Sequence, residues 1–172
     1  MNTKKLTSLS MLLALSLIIF IVEAQLPPLA PVPGIKMGLA NIITLVTLVW
    51  YGRKEAFTLL MLRIILGSVF TGHLMSCLYS MAGGLLCFLT MAVAIKPINK
   101  IWVVSILGAI SHNTGQIIAA VFMLSSWTIL GYLPILTASA VITGAFTGVI
   151  AALLLKNKNL PSSPDKNRRE RN

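Results

Sequence analysis

Arg63 lies inside the apolar run from Ala56 to Phe70, and that position constrains its chemistry strongly. At the middle of a bilayer an arginine is unfavourable by about 2.5 to 3.5 kcal/mol on insertion scales. It is therefore turned toward a bundle interior, a water-filled cavity, a carboxylate or an anionic ligand. A guanidinium so placed offers five donors in a rigid fork, suited to carboxylate, phosphate or carbonyl oxygens. The alternative is a structural arginine that snorkels or donates to backbone carbonyls. A second constellation runs through Ser105, Gly108, His112, Gln116 and Ala119, spaced three or four apart with Asn113 beside them, which makes one helix face polar enough to line a cavity. Glu23, Lys36 and Asn41 add polar groups near the same membrane side. The competing reading has His112, Asn113 and Gln116 bridging helices by hydrogen bonds, worth about 0.6 kcal/mol on average in a bilayer. It leaves Glu23 as an interfacial partner of Lys36.

Catalytic arrangements are scarce. The chain has only four acidic residues, and two of them, Asp165 and Glu170, fall in its polar C-terminal stretch. That leaves no paired-carboxylate site and no Asp-rich cluster for magnesium diphosphate chemistry. His73 and His112 have no Cys or carboxylate neighbours at metal-ligand spacing. No glycine-rich phosphate loop opens a helix. The expectation is a protein without catalytic residues, metal or cofactor, which does not hydrolyse ATP itself. Cys77 and Cys87 are ten apart, about 15 Å along one helix, too far to bond to each other, and read as buried apolar thiols.

The elements that must position these residues follow from composition. Hydrophobic residues make up 56% of the 172, charged residues 10%, too few to cover a soluble surface, so the expected class is an all-α, polytopic membrane protein. The net charge of +10 is scattered through short loops and a tail rather than along one face, which speaks against nucleic acid and for lipid. Six apolar blocks are predicted as helices: Leu6 to Ala24, Met37 to Tyr51, Ala56 to Phe70, Leu74 to Ala94, Ile101 to Leu124 and Leu130 to Leu155. The second and third hold about 15 residues each, near 22 Å, and fall short of the roughly 30 Å hydrocarbon core. They need extension into loops, thinning of the bilayer or burial among neighbours.

With six spans, Lys4, Lys5, Arg53, Lys54, Lys96, Lys100, Lys156 and Lys158 share one side, against Lys36 and His73 on the other. Both termini are then cytoplasmic, N-in and C-in, in a cell membrane. Residues 1–156 form one transmembrane domain, and 157–172 a basic tail expected to be disordered. The N-terminal block is longer than a signal-peptide core, and Glu23 is poor cleavage context, so the first helix is expected to remain. Pro27, Pro28, Pro31 and Pro33 make the loop before Lys36 a stiff cap. In the sixth block Ala140, Gly144, Gly148 and Ala152 fall four apart, beside Ser139, Thr143, Thr147 and Ala151, a pattern that lets helices approach closely. Helical rise puts His112 about 18 Å and Gln116 about 24 Å above Lys100, in the outer half with Asn41 and Glu23. Phe70, Trp102 and Trp127 are candidates to stack on a ligand's apolar body or to anchor at the interface.

The ordered set Pro31-Val32-Pro33-Gly34-Ile35-Lys36-Met37-Gly38-Leu39-Ala40-Asn41, then Leu62-Arg63 with Gly67 and Gly72, Ser80-Met81-Ala82-Gly83-Gly84, and His112-Asn113-Thr114-Gly115-Gln116 resembles the Gx transporter family. That family is also labelled heptaprenyl diphosphate synthase component I, and it is similar to the substrate-binding S components of energy-coupling-factor transporters. The resemblance implies a six-helix subunit that captures a small molecule at its outer face. It also implies docking on a transmembrane coupling subunit driven by two cytoplasmic ATPases. Small residues on the first helix serve that docking in such subunits, and Ser10 and Ala14 stand at the matching place, Ser replacing the more usual Ala. The synthase label sits against the missing Asp-rich motifs and implies, as the alternative, a non-catalytic accessory subunit of isoprenoid or quinone biosynthesis. Residues expected to bind substrate are Arg63, Lys36, Asn41, His112, Asn113, Gln116 and Glu23.

Overall fold

Long apolar runs with few helix breakers form helices wherever the bilayer removes water from the backbone, because each peptide group must then find its partner within its own segment. The computed structural model of the chain describes residues 3–26, 36–72 and 74–156. Most of the proline-rich cap, His73 and the tail lie outside them. The helices are α1 (Thr3–Gln25), α2 (Asn41–Trp50), α3 (Arg53–Thr71), α4 (Leu74–Ala94), α5 (Ile101–Leu124) and α6 (Leu133–Lys156), with a 3-10 turn, Trp127–Tyr132, leading into the last. Four stretches are long and apolar enough to cross a membrane: Thr3–Gln25, Met75–Ala94, Ile101–Leu124 and Trp127–Lys156. Large apolar side chains such as Phe122, Ile142 and Val93 point outward along them, as lipid-facing residues do. The chain is thus an all-α, multi-pass membrane protein.

The two short blocks resolve differently. The second is shorter than its apolar run, because Met37 to Ala40 form a turn rather than helix, with Gly38 at a φ of 81°. The remaining ten residues, about 15 Å long, survive by burial: Asn41 through Leu48 are all buried, and α2 packs against α1, α3, α4, α5 and α6. The third is longer than predicted. Helix α3 takes in Arg53, Lys54 and Glu55 and runs until Gly72, whose φ of 68° suits a left-handed cap and whose N–H returns to the Ser68 carbonyl at 3.0 Å.

Helices α4, α5 and α6 pack backbone to backbone. A methyl group built on Gly115 would stand 2.7 Å from the Ala82 carbonyl and 2.9 Å from the Gly83 Cα, so only glycine fits that crossing. On the other side of α5, Gly144 and Gly148 press on the Ile106 and Trp102 backbones, where an added Cβ would lie 2.7 and 2.6 Å from their Cα atoms. The small-residue row of the sixth helix is therefore its packing face, with Ala140, Gly144 and Gly148 buried and Ser105 Oγ meeting Thr147 Oγ1 at 3.0 Å. Helix α1 is the contrast. Only Ser16, Phe20 and Glu23 are buried along its 23 residues, and its neighbours are α3 and α2. Of the two thiols, Cys87 is buried as expected and Cys77 only half-buried.

Candidate functional site

The polar site forms where α1, α3 and α5 meet the turn before α2. Arg63 is 2% exposed and directed inward. Its Nη2 donates to Asn41 Oδ1 at 3.0 Å, while Nε and Nη1 are buried without an acceptor. Asn41, the first residue of α2, is set by the Gly38 turn, in which the Asn41 N–H donates to the Gly38 carbonyl at 3.0 Å. A Cβ on Gly38 would come within 2.7 Å of both Asn41 Nδ2 and His112 Cδ2, and the positive φ already disfavours a side chain. The glycine thus lets the turn lie directly on α5.

Two hydrogen bonds hold this turn down as a strap. Glu23, buried at the end of α1, accepts the Gly38 N–H through Oε1. Gln116 of α5 accepts the Lys36 N–H through Oε1 at 3.3 Å. The Lys36 ammonium lies over the Phe20 ring, 3.4 Å from its centroid, a cation–π contact rather than the interfacial pairing with Glu23 that the sequence allowed. Burial lowers the Lys36 pKa from 10.5 to about 8, with the Glu23 charge opposing that fall and Arg63 adding to it. Phe20 itself packs against Gly67 of α3, where an added Cβ would be 2.6 Å from the ring.

Phe20, Glu23, Lys36, Gly38, Ala40, Asn41, Arg63, Ser80 and His112 line a cleft whose free volume is about 10 Å³, room for a single water. The strap fills the rest. Its hydrogen-bonding character is weighted toward donors. Arg63 Nε and Nη1, Asn41 Nδ2 and Lys36 Nζ are buried without acceptors, as is Gln116 Nε2 beside the strap; His112 Nδ1, a donor or an acceptor according to tautomer, is also unpaired, and Glu23 Oε1 is already engaged. Buried donors in this state cost stability, so an arrangement that keeps several together is suited to a group bearing acceptors.

The structure brings Arg63, Lys36, Asn41, His112 and Glu23 to one cleft, and Gln116 to its strap. Asn113 stands apart, turned to α6, where its Nδ2 donates to the Leu136 carbonyl at 2.8 Å, a bridge between helices. The aromatic at the cleft is Phe20. Phe70, Trp102 and Trp127 are exposed on the bundle surface, the place of interfacial or lipid-facing rings. Phe20, Gly38, Ala40 and Ser80 escaped the sequence reading as site residues. Gly38, two residues after Lys36 and three before Asn41, carried a usable signal; Phe20, one apolar residue in an apolar helix, carried none. Ser10 and Ala14 both lie exposed on α1, away from the cleft.

Among the described residues no group of three or more His, Cys, Asp or Glu side chains is placed to hold a metal ion. No curated protein and no solved structure matches the chain. The model of one family, heptaprenyl diphosphate synthase component I, matches residues 12–154, a stretch that takes in α2 to α5 whole, most of α1 and α6, and every residue of the cleft. A membrane bundle built around these residues over that length belongs to the heptaprenyl diphosphate synthase component I family.

Proposed function

We propose that this chain is the substrate-binding membrane subunit, an S component, of an energy-coupling-factor importer, with six spans and both termini cytoplasmic in a bacterial plasma membrane. It binds and does not catalyse. The observation that carries this reading is the buried guanidinium of Arg63 with two nitrogens lacking acceptors, beside the unpaired donors of Asn41 and Lys36 in the same cleft. Such a cleft suits the anionic or carbonyl-bearing head of a small vitamin-like or cofactor-precursor molecule. Entry requires the strap from Lys36 to Ala40 to lift, breaking the Glu23–Gly38 and Gln116–Lys36 hydrogen bonds. Because Glu23 and Phe20 sit on α1, ligand arrival is felt by the same helix that presents Ser10 and Ala14 to a transmembrane coupling subunit carrying two ATPases.

The family description favours a second reading, a non-catalytic membrane accessory subunit of isoprenoid or quinone biosynthesis whose Arg63 holds a diphosphate. Affinity purification from membranes separates the two. An S component brings down a coupling subunit and ATPases, and Ala14→Trp removes them without lowering the unfolding temperature; recovery of a soluble prenyl synthase instead overturns the importer reading. Mass spectrometry of small molecules carried through purification, repeated with Arg63→Ala, tests the site. A compound lost in the variant supports it, and equal retention sinks it.

A further inference from the structure

A second cavity lies toward the N-terminal ends of α1 and α3, distinct from the Arg63 cleft. It is a groove of about 340 Å³ walled by Leu9 and Leu13 of α1 and Leu59 and Leu62 of α3, with Lys54 and Glu55 at its end. That volume falls within the range of small-molecule pockets, about 300 to 1,000 Å³. The wall is mostly leucine; Ser10 of α1 also borders it, and Thr58 already donates to the Lys54 carbonyl at 3.0 Å. At the mouth Lys5 Nζ meets Glu55 Oε1 at 2.5 Å, so the groove's one carboxylate is neutralised. Lys54, exposed beside it, keeps the end of the groove net positive.

We propose that this groove is a binding site for an anionic phospholipid, with one acyl chain between α1 and α3 and the headgroup phosphate at Lys54. Lipid tails are as apolar as leucine, so the walls accept any chain and discriminate little among lipids. Selection falls to the headgroup. A basic residue at the membrane surface favours anionic lipid about fivefold. The site also explains how α1 can leave so large a gap on α3 within a bilayer: an acyl chain completes the packing that side chains do not.

Native mass spectrometry of the full-length protein in detergent, exposed to equal amounts of phosphatidylglycerol and phosphatidylcholine with the same acyl chains, tests this. Phosphatidylglycerol adducts should exceed phosphatidylcholine adducts about fivefold, Lys54→Gln should bring them to parity, and Leu9→Trp, which fills the groove, should remove both. A photo-crosslinker at position 62 in native membranes should then give lipid adducts in the wild-type background, independently of whether the tryptophan variant folds. Equal retention of the two lipids, adducts unchanged in both variants, or crosslinking to a protein in place of lipid would each overturn the proposal.

Discussion

The α4–α5–α6 half of the molecule and the α1–α3 seam follow opposite packing rules. In the first, glycines let backbones touch, and hydrogen bonds such as Ser105–Thr147 and Asn113–Leu136 lock adjacent helices. In the second, leucines hold α1 off α3 across a groove, and the contacts that fasten it include Phe20 on Gly67, the Lys5–Glu55 ion pair, and Leu12 and Ile19 against the core. The polar cleft lies where the two meet, with Arg63 and Glu23 from the loose side, His112 from the tight side, and the strap across them. The difference teaches that the tightly packed half fixes the position of the cleft, while the loosely packed half supplies Glu23, which holds the strap over it.

The largest effect should come from disturbing the tightly packed half. Gly115→Val places carbon against the Ala82 carbonyl and Gly83 backbone, neither of which can yield, and should cost about 3 kcal/mol, the upper end of overpacking. Equilibrium unfolding in detergent measures it. Gly67→Ala, on the loose side, meets only the Phe20 ring, which can turn, and should cost about 1 kcal/mol. If the two substitutions cost the same, the contrast between the halves fails.

Next comes the cleft. Arg63→Lys keeps the charge but loses the fork, and should weaken binding of the copurifying ligand about thirtyfold, or about 2 kcal/mol. Arg63→Met should abolish binding and change unfolding by only about 1 kcal/mol, since it removes two buried donors that lack acceptors but leaves Asn41 Oδ1 without its partner. Loss of the fold together with binding would make Arg63 structural instead.

The pH dependence is smaller and has two opposite signs. Lys36, lowered to about 8, is charged below that value and attracts an anion, so binding should weaken as pH rises through 8. Between about 8 and 10.5 the unfolded chain holds this proton and the folded chain does not, so stability should rise with pH over the same window. Titrations of ligand binding and of unfolding temperature check both, and Lys36→Met should flatten each. The smallest effect belongs to Lys5→Ala, whose half-exposed ion pair is worth under about 1 kcal/mol. A much larger loss would mean that α1 is fastened to α3 more firmly than its groove indicates.

Much of this was legible in the residues. The membrane class and helical architecture follow from apolar length and scarce charge, because a bilayer accepts few other backbones. The interior direction of Arg63 follows from the penalty on a lipid-facing guanidinium. The small-residue row of α6 announced close packing by its spacing, since a missing side chain has few other uses in a membrane helix. Three features lay beyond that reach. Periodicity put Asn113 beside the cavity-facing row, but one step around a helix is about 100°, and the tertiary crossing turned it to Leu136. Phe20 became the partner of Lys36 through the fold alone, because an aromatic among aliphatics carries no mark of what will lie over it. Whether the cleft stands open or shut was likewise decided by tertiary contact: the strap closes it through hydrogen bonds to residues 15 and 80 positions away, and such distant pairings are set by how helices cross, which local pattern does not encode.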